Sequence, residues 1–542
     1  MKALARLHPA AAAILFMSIC LVPLMALRDI SPANELKYLS IVDEALSQGH
    51  IFTFSNHGEP YADKPPLYFW LMMLSKLVFG RHDFLALSML SFIPAMVTIA
   101  VMDRWLMLVS REASMKIPYG NRLAAAFMLG TSAMFIGTSI VLRMDMLMTM
   151  FIVLSMFTFY KMYRNTGNTA LNGLLLPVYI FLALFSKGPV GLLVPVAAIL
   201  VFLLFSGRIR EAGRYLGFRT WGILFLLCCL WFAGVWLEGG TAYLENLLFH
   251  QTFGRAVDAF HHKEPVWYYL VAIWYVAAPF SVFYLYKLFS RPDNGYVTDA
   301  GRLFLTVFCV TFIMLSIFSS KLSVYLLPVL PFMAYFPAIA SDGHGNAWVR
   351  FSLAIPSVIL ALASLAVLAF VIISPDTVQT GIPDDVAAAM KSVNVCVAAS
   401  ALLVGAVASF ICLFRRSSWS GSAVCISVSL LAAALLLTPS VPQINGRIGY
   451  RDLCAVARTL HDVSGVSGYT AMDIRNPESM DVFLGQDVRP FDDDITESCL
   501  SDISDTILMV RTSTLRKHRA LEDSLSGLHG VEVGGITVFI IK

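Results

Sequence analysis

The hydrophobic positions of this chain fall into long unbroken runs instead of the alternating or three-to-four spacing of soluble strands and helices. Thirteen runs stand out, at 9–27, 84–109, 122–142, 146–163, 171–187, 188–206, 220–237, 266–289, 303–319, 322–341, 349–373, 391–414 and 421–439. A helix crossing the hydrocarbon core of a bilayer needs about 17–25 apolar residues, so each run is read as a transmembrane helix. A further run at 66–79 is short. It is expected to be a juxtamembrane or re-entrant helix. The first run follows Lys2 and Arg6 in the manner of a signal peptide. No small-x-small cleavage pattern follows, and it is read as a retained span.

Between the first two runs lies the most polar stretch of the first half of the chain. From Arg28 to Pro66 it holds the carboxylates Asp29, Glu35, Asp43, Glu44, Glu59 and Asp63. Ionised carboxylates are costly in hydrocarbon, so this loop must sit in water or line a wet cavity. Within it ELKYLSIVDEAL is amphipathic, with Leu36, Leu39, Val42 and Leu46 on one side.

Composition agrees with the pattern. The chain has 542 residues, of which 58% are hydrophobic and 14% charged, against about 25% charged in soluble domains. A net charge of +3 is too small to point to nucleic acid. Basic residues sort by side. With the N-terminus in the cytoplasm, the clusters at Arg104–Arg122, Lys161–Arg164, Arg208–Arg219, Lys287–Arg302, His344–Arg350 and Arg415–Arg416 all fall inside. Counting 66–79 as a span would invert that pattern. The outer face then receives 28–83, the turn 143–145, 238–265, the acidic segment with Asp376, Asp384 and Asp385, and the tail from 440. The tail alternates short β-like runs, ILMV at 507–510 and ITVFII at 536–541, with helical patterns near 451–463 and 513–524. It reads as a soluble α/β domain. Its Cys454 and Cys499 are candidates for a disulfide if the tail is outside the cytoplasm.

Candidate chemistry collects on that outer face. The loop supplies Asn34, Glu35, Lys37, Tyr38, Tyr61, Asp63 and Lys64. The second turn supplies Arg143 and Asp145, and the third supplies Arg255, His261, His262 and Glu264. Lys187 and Lys321 break the charge bias at the ends of apolar runs, with Tyr325 one helical turn beyond Lys321. Lys and Arg suit a lipid-borne phosphate, and a carboxylate suits a base for a hydroxyl nucleophile. Asp63, Asp145 and His262 offer oxygen and nitrogen ligands for a divalent metal.

The stretches ANELKY, YADKPPLYFWL, RMDMLMTMF, SKGPVGLLVPV, HHKEPVWYY and SSKLSVYLLPVLP occur in that order. Together they resemble the lipid A aminoarabinose transferase family of the GT-C glycosyltransferase superfamily, which also holds protein O-mannosyltransferases. The resemblance covers about residues 9–341, with a similar length and a soluble outer tail beyond. It implies a polytopic α-helical membrane protein of GT-C type in the bacterial inner membrane. About 13 spans (1–439) would enclose a periplasmic catalytic loop (28–83), followed by a periplasmic soluble α/β domain (440–542). It implies transfer of a sugar from a polyprenyl (undecaprenyl) phosphate carrier to lipid A, another envelope glycolipid or an exported protein, with inversion at the anomeric carbon.

Carried over residue by residue, the resemblance sets Asn34-Glu35 at the family's acidic pair and Lys37 where Arg is usual, beside Tyr38. Lys64 would hold the carrier phosphate. Asp145 matches the second acidic site. Asp63 and His262 would bind a metal (zinc, or magnesium or manganese). Apart from the resemblance, the outer-face residues Tyr61, Arg143, Lys187, Arg255, Lys321 and Tyr325 are expected to complete the substrate site. The first-loop acid usually taken as catalytic is Asn34 here, and Asn is no base at neutral pH. Either Glu35 takes that role, which is the expectation preferred, or Asp29 folds back to it, or activity is altered or lost. The alternatives are a protein O-glycosyltransferase and a transporter or flippase of lipid-linked sugar. A transporter should place ionisable groups near the midplane of its spans, whereas here they gather at one face.

Overall fold

In hydrocarbon every backbone N–H and C=O must be paired within the protein, so long apolar runs fold as helices. A computed structural model describes residues 8–112, 115–248, 263–290, 298–340, 346–373, 390–491 and 503–542. Among them ten helices are long and apolar enough to cross a membrane, and two bent helix pairs meet the same test together. Each of the thirteen runs has a helical counterpart: Val190–Phe205, the sixth, is apolar but has only 16 residues. The elements around the first loop are α1 (Pro9–Leu27), α2 (Glu35–Gln48), the hairpin β1 (Ser55–Asn56) and β2 (Glu59–Pro60), α3 (Leu67–Phe79) and α4 (Phe84–Glu112). They are followed by α5 (Tyr119–Thr131), α6 (Ala133–Ile140), α7 (Met144–Tyr163), α8 (Thr169–Lys187) and α9 (Val190–Phe205).

Two expected straight helices are broken. The run 122–142 bends by 63° between α5 and α6, at Ser132, and the run 266–289 bends by 116° between Tyr268–Val276 and Ser281–Phe289. The breaks meet, and each supplies partners for polar groups of the other. Ala133 N–H donates to the Ala278 carbonyl at 2.8 Å, and the Ser132 and Tyr284 hydroxyls lie 3.1 Å apart. A break at membrane depth is stable where a neighbour re-satisfies the freed backbone in this way.

Burial separates central spans from lipid-facing ones. The segment Ser323–Ala340 is 89% buried and α7 is 72% buried, against 22% for Phe218–Leu248 and 17% for Ala347–Val371. The core is aromatic: buried Trp105 is ringed by Phe157, Tyr160, Phe304 and Phe332.

The last span continues as a helix through Val441–Ile448. Beyond it lie the amphipathic helix Arg451–Ser464 and a sheet of β3 (Gly468–Met472), β4 (Val488–Phe491), β5 (Thr506–Arg511), β6 (Val531–Val533) and β7 (Ile536–Ile541). The strand order is β4-β3-β5-β7-β6, with β3 parallel to both neighbours and β7 antiparallel to both of its own. This C-terminal unit shares one hydrophobic core with the first loop, in which Leu39, Val42 and Phe69 join Leu453, Ile507 and Val538. Polar contacts pin the seam. The Arg451 N–H donates to Asp29 (3.0 Å), the Ser40 hydroxyl to Asp481 (2.8 Å) and the Asn476 amide to the Pro32 carbonyl (3.1 Å). Cys454 is buried in that core. Its suggested partner Cys499 lies outside the described residues.

Candidate active site

The site gathers where α2, the loop before α3, the start of α7 and the end of α8 meet. Asp145 stands in the first turn of α7 and Lys187 in the last turn of α8. The helix macrodipoles favour an anion at the first position and a cation at the second. Asp145 is buried and Lys187 partly buried, and the two side chains are bonded to each other, Lys187 Nζ donating to Asp145 Oδ1. Arg143 donates through Nε to the other oxygen, Oδ2, at 3.2 Å. Lys187 also lies 4.5 Å from the centre of the Tyr325 ring, a cation–π contact. Tyr325 comes from Ser323–Ala340, so the two most buried spans both contribute to the site.

The loop closes over this pair. Lys64 is near enough for its charge to bear on Lys187. Tyr38, buried on α2, feels Asp145, Arg143, Asp63 and Tyr325 together. Burial, and after it the Asp145 charge, push the Tyr38 hydroxyl well above its usual range, so it is a neutral group at pH 7. Lys37 sits 5.1 Å over the Tyr61 ring. Among these residues four cations (Lys37, Lys64, Arg143, Lys187) face two carboxylates (Asp63, Asp145). A group of this kind can bind a phosphate and take up the negative charge that develops when the phosphate departs.

Other expected members fall elsewhere. Glu35 is not disposed as a base. Arg28 donates to both of its oxygens at 2.6 and 2.9 Å, the Ser31 N–H to Oε2 at 2.9 Å and the Leu142 N–H to Oε1 at 2.6 Å. Four donors fill the lone-pair sites of a carboxylate. Glu35 thus ties the end of α1, the start of α2 and the turn before α7, and so sets where Asp145 stands. Asn34 is exposed and its side chain makes no capping bond. Lys321 is buried, with its ammonium on the Glu264 (3.0 Å) and Phe318 (2.5 Å) carbonyls. It joins two chain segments instead of bonding to Asp145. Arg255, His261 and His262 lie outside the described residues.

Two positioning residues escaped the sequence reading. The carboxylate of Glu238 accepts from the backbone N–H groups of Ile51, Phe52 and Thr53 and from the Thr53 hydroxyl, at 2.9–3.2 Å. Tyr243 accepts from Phe54 N–H at 3.1 Å and donates to the Tyr61 carbonyl at 2.8 Å. Together they hold the loop that leads to Asp63 and Lys64. A carboxylate abutting an apolar run, in WLEGG, was the available signal.

The turn that presents Lys187 explains its sequence, SKGPVG. Gly188 has φ +118, which side chains beyond glycine rarely adopt. A Cβ on Gly191 would lie 2.2 Å from the backbone carbon of Ala183, so α9 packs directly on the α8 backbone. Gly191→Val should therefore cost about 1–3 kcal/mol or more. The loss should read as a lower midpoint of thermal unfolding in detergent. Gly137→Ala, where a Cβ meets nothing within 4 Å, should leave the midpoint in place.

A metal at Asp63 is not assembled by the described residues. Both oxygens of Asp145 are held by cations, and His262 is undescribed. The described group with metal-ligand spacing is His57, Asp481 and Asp487, whose donor atoms lie within 4.8 Å of one another. It sits at the seam between the β1–β2 hairpin and the C-terminal unit. His57 turns Nε2 toward Asp481 (3.8 Å) and Nδ1 toward Asp487 (3.7 Å), the geometry of an ion-pair bridge.

No family model matches the chain. It is 25% identical over 339 residues to an uncharacterized protein of Aquifex aeolicus, covering 61% of this chain and 64% of that protein. It is 25% identical over 433 residues to the undecaprenyl phosphate-alpha-4-amino-4-deoxy-L-arabinose arabinosyl transferase of Erwinia tasmaniensis, covering 77% of this chain and 74% of that one. The enzyme of the same name from Yersinia pestis is 23% identical over 500 residues, 88% of this chain and 86% of that one. Among solved structures, ArnT from Cupriavidus metallidurans bound to undecaprenyl phosphate matches with a TM-score of 0.71 over 97% of both chains, at 15% identity. The apo form matches at 0.70.

Proposed function

We propose that this chain, a membrane glycosyltransferase of GT-C fold and aminoarabinose transferase-like sequence, moves a sugar from a polyprenyl phosphate carrier to an acceptor at the outer face of the bacterial inner membrane. The observation behind this reading is the Asp145–Lys187–Arg143 group, built on the buried Asp145 with Lys64 beside it, where the ends of α7 and α8 meet. The relatives from Erwinia tasmaniensis and Yersinia pestis, named as undecaprenyl phosphate-aminoarabinose arabinosyl transferases, agree with it. The reading includes an inward N-terminus and a periplasmic C-terminal unit, supported by the distribution of basic residues.

In this mechanism Lys64, Lys187 and Arg143 hold the carrier phosphate. The acceptor attacks the anomeric carbon, the bond from that carbon to the phosphate oxygen breaks, and the phosphate leaves with the electron pair. The cations stabilise the charge that develops there, which is the larger part of such catalysis. Asp145, its oxygens engaged, keeps Lys187 and Arg143 in place. Asp63, partly exposed and next to Lys64, is the remaining carboxylate of the group and takes the proton when the acceptor is a hydroxyl.

Mass spectrometry of lipid A and of exported proteins, with and without a working copy of the chain, tests the reading. The expected result is loss of one sugar from lipid A, not restored by a Lys64→Ala copy. Loss of protein glycans instead would move the acceptor to Ser or Thr of exported proteins. No change in either class would overturn the proposal.

A further inference from the structure

A cavity of about 660 Å³ opens between the first loop and the C-terminal unit, lined by Asp43, Lys76, Arg81, Arg451 and Phe483 among others. None of its lining residues belongs to the Asp145 group. Its floor is level with the ends of two spans, Ala26 in the last turn of α1 and Phe84 in the first turn of α4. Its roof is the C-terminal unit, through Arg451 and Phe483. Phe84 packs edge-on against Phe483, and the Arg451 guanidinium lies 4.3 Å over the Phe84 ring. The side wall is Lys76 near the end of α3, with Arg81 and His82 in the turn after it.

The chemistry of this wall is that of an anion site. Lys76 and His82 both bond the same Asp43 oxygen at 2.5 Å. Burial alone would raise the Asp43 carboxyl, but His82 and Lys76 outweigh it and hold the group below its ordinary range. His82 is nine-tenths buried, and its Nδ1 finds no partner among the described residues. Two guanidiniums retain solvent access. Arg81 is 80% exposed and 4.0 Å from Asp83, and Arg451 is 49% exposed with Nε 3.5 Å from Asp29. Each holds more donors than those contacts use, in the planar fork that suits phosphate oxygens. Next to the wall the surface turns apolar. Leu74, Leu77, Val78 and Phe79 of α3 are 54–69% exposed, and Leu27 at the end of α1 is 43% exposed. A basic pocket joined to an apolar strip at the outer ends of two spans has the polarity profile of a lipid at the membrane boundary.

We propose that this cavity binds the headgroup phosphate of an anionic membrane lipid, with Arg81, Arg451 and Lys76 on the phosphate and the acyl chains along the exposed face of α3. A lipid bound there touches α1, α3, α4 and the C-terminal unit at once, and braces the loop that carries the active site against the tail.

The test uses the purified full chain in nanodiscs, comparing phosphatidylglycerol with phosphatidylcholine. Thermal unfolding and native mass spectrometry of retained lipid are the readouts. Phosphatidylglycerol should raise the unfolding midpoint and be retained preferentially. Arg81→Ala, an exposed turn residue whose removal leaves the packing in place, should weaken that retention about tenfold, the size of one lost charge-assisted contact. Arg451→Lys, which keeps a charge but not the fork, should give a smaller loss. Equal retention of the two lipids, or retention unmoved by Arg81→Ala, would overturn the proposal. So would equal stabilisation by inorganic phosphate in phosphatidylcholine discs, which would assign the cavity to a free anion.

Discussion

Lys187→Ala should abolish transfer and destabilise the fold by about 3–5 kcal/mol, the usual cost of leaving a buried charge without its partner. The uncompensated group would be Asp145, buried at the start of α7. Arg143 would remain, at 3.2 Å on one oxygen only. Asp145→Ala should be comparably destabilising, because it strands Lys187. The informative variant is the double one. Removing both charges should restore much of the stability, since a buried ion pair is often replaceable by apolar groups, and should restore none of the activity. A double variant that regains transfer would show the pair to be structural. Thermal unfolding in detergent and a transfer assay on the same preparations separate these outcomes.

The second large effect is expected at Asp63. Asp63→Asn should lower kcat by about 10²–10⁴-fold if the acceptor is a hydroxyl, the range for losing a general base. Carrier binding should persist, because the cations stay in place. Glu35→Gln should behave differently. Glutamine keeps the shape, but its amide nitrogen cannot accept from Arg28 or from a backbone N–H. The expected loss is in stability and in the placement of Asp145, with activity and unfolding midpoint falling together. If Glu35→Gln unfolds normally yet loses kcat as steeply as Asp63→Asn, Glu35 and not Asp63 is the base.

These two carboxylates show where reading the chain as text reaches its limit. Both lie in the polar loop, both match motif positions, and nothing local distinguishes a reactive acid from a structural one. The partner of Glu35 is Arg28, seven residues away and visible in the sequence, but the bond that completes its shell comes from Leu142, 107 residues on. The partners of Lys321 are carbonyls, and a carbonyl has no signature in a residue pattern. Glu238 reaches back 185 residues to Thr53. The contacts that decide each role are therefore contacts of folding.

What the sequence determined by itself follows from the cost of polar groups in hydrocarbon. Thirteen apolar runs had to become membrane-depth helices, because only helices pair all their backbone groups within one segment. The carboxylate-rich loop had to stay out of the hydrocarbon, in water or lining a wet cavity, and charged residues at run ends were expected at the bilayer surface. The amphipathic α2, the short α3 and the α/β tail were legible for the same reason, since each has a periodicity of its own. What only the tertiary structure decided was the pairing of those charged ends. The break at Ser132 is one case, stable because the Ala278 carbonyl meets it. The ion pair of Asp145 with Lys187 joins residues 42 positions apart, and the sealing of Glu35 needs three separate segments. A carboxylate's chemistry depends on which donors occupy its lone pairs, and those donors are set by the packing of distant helices.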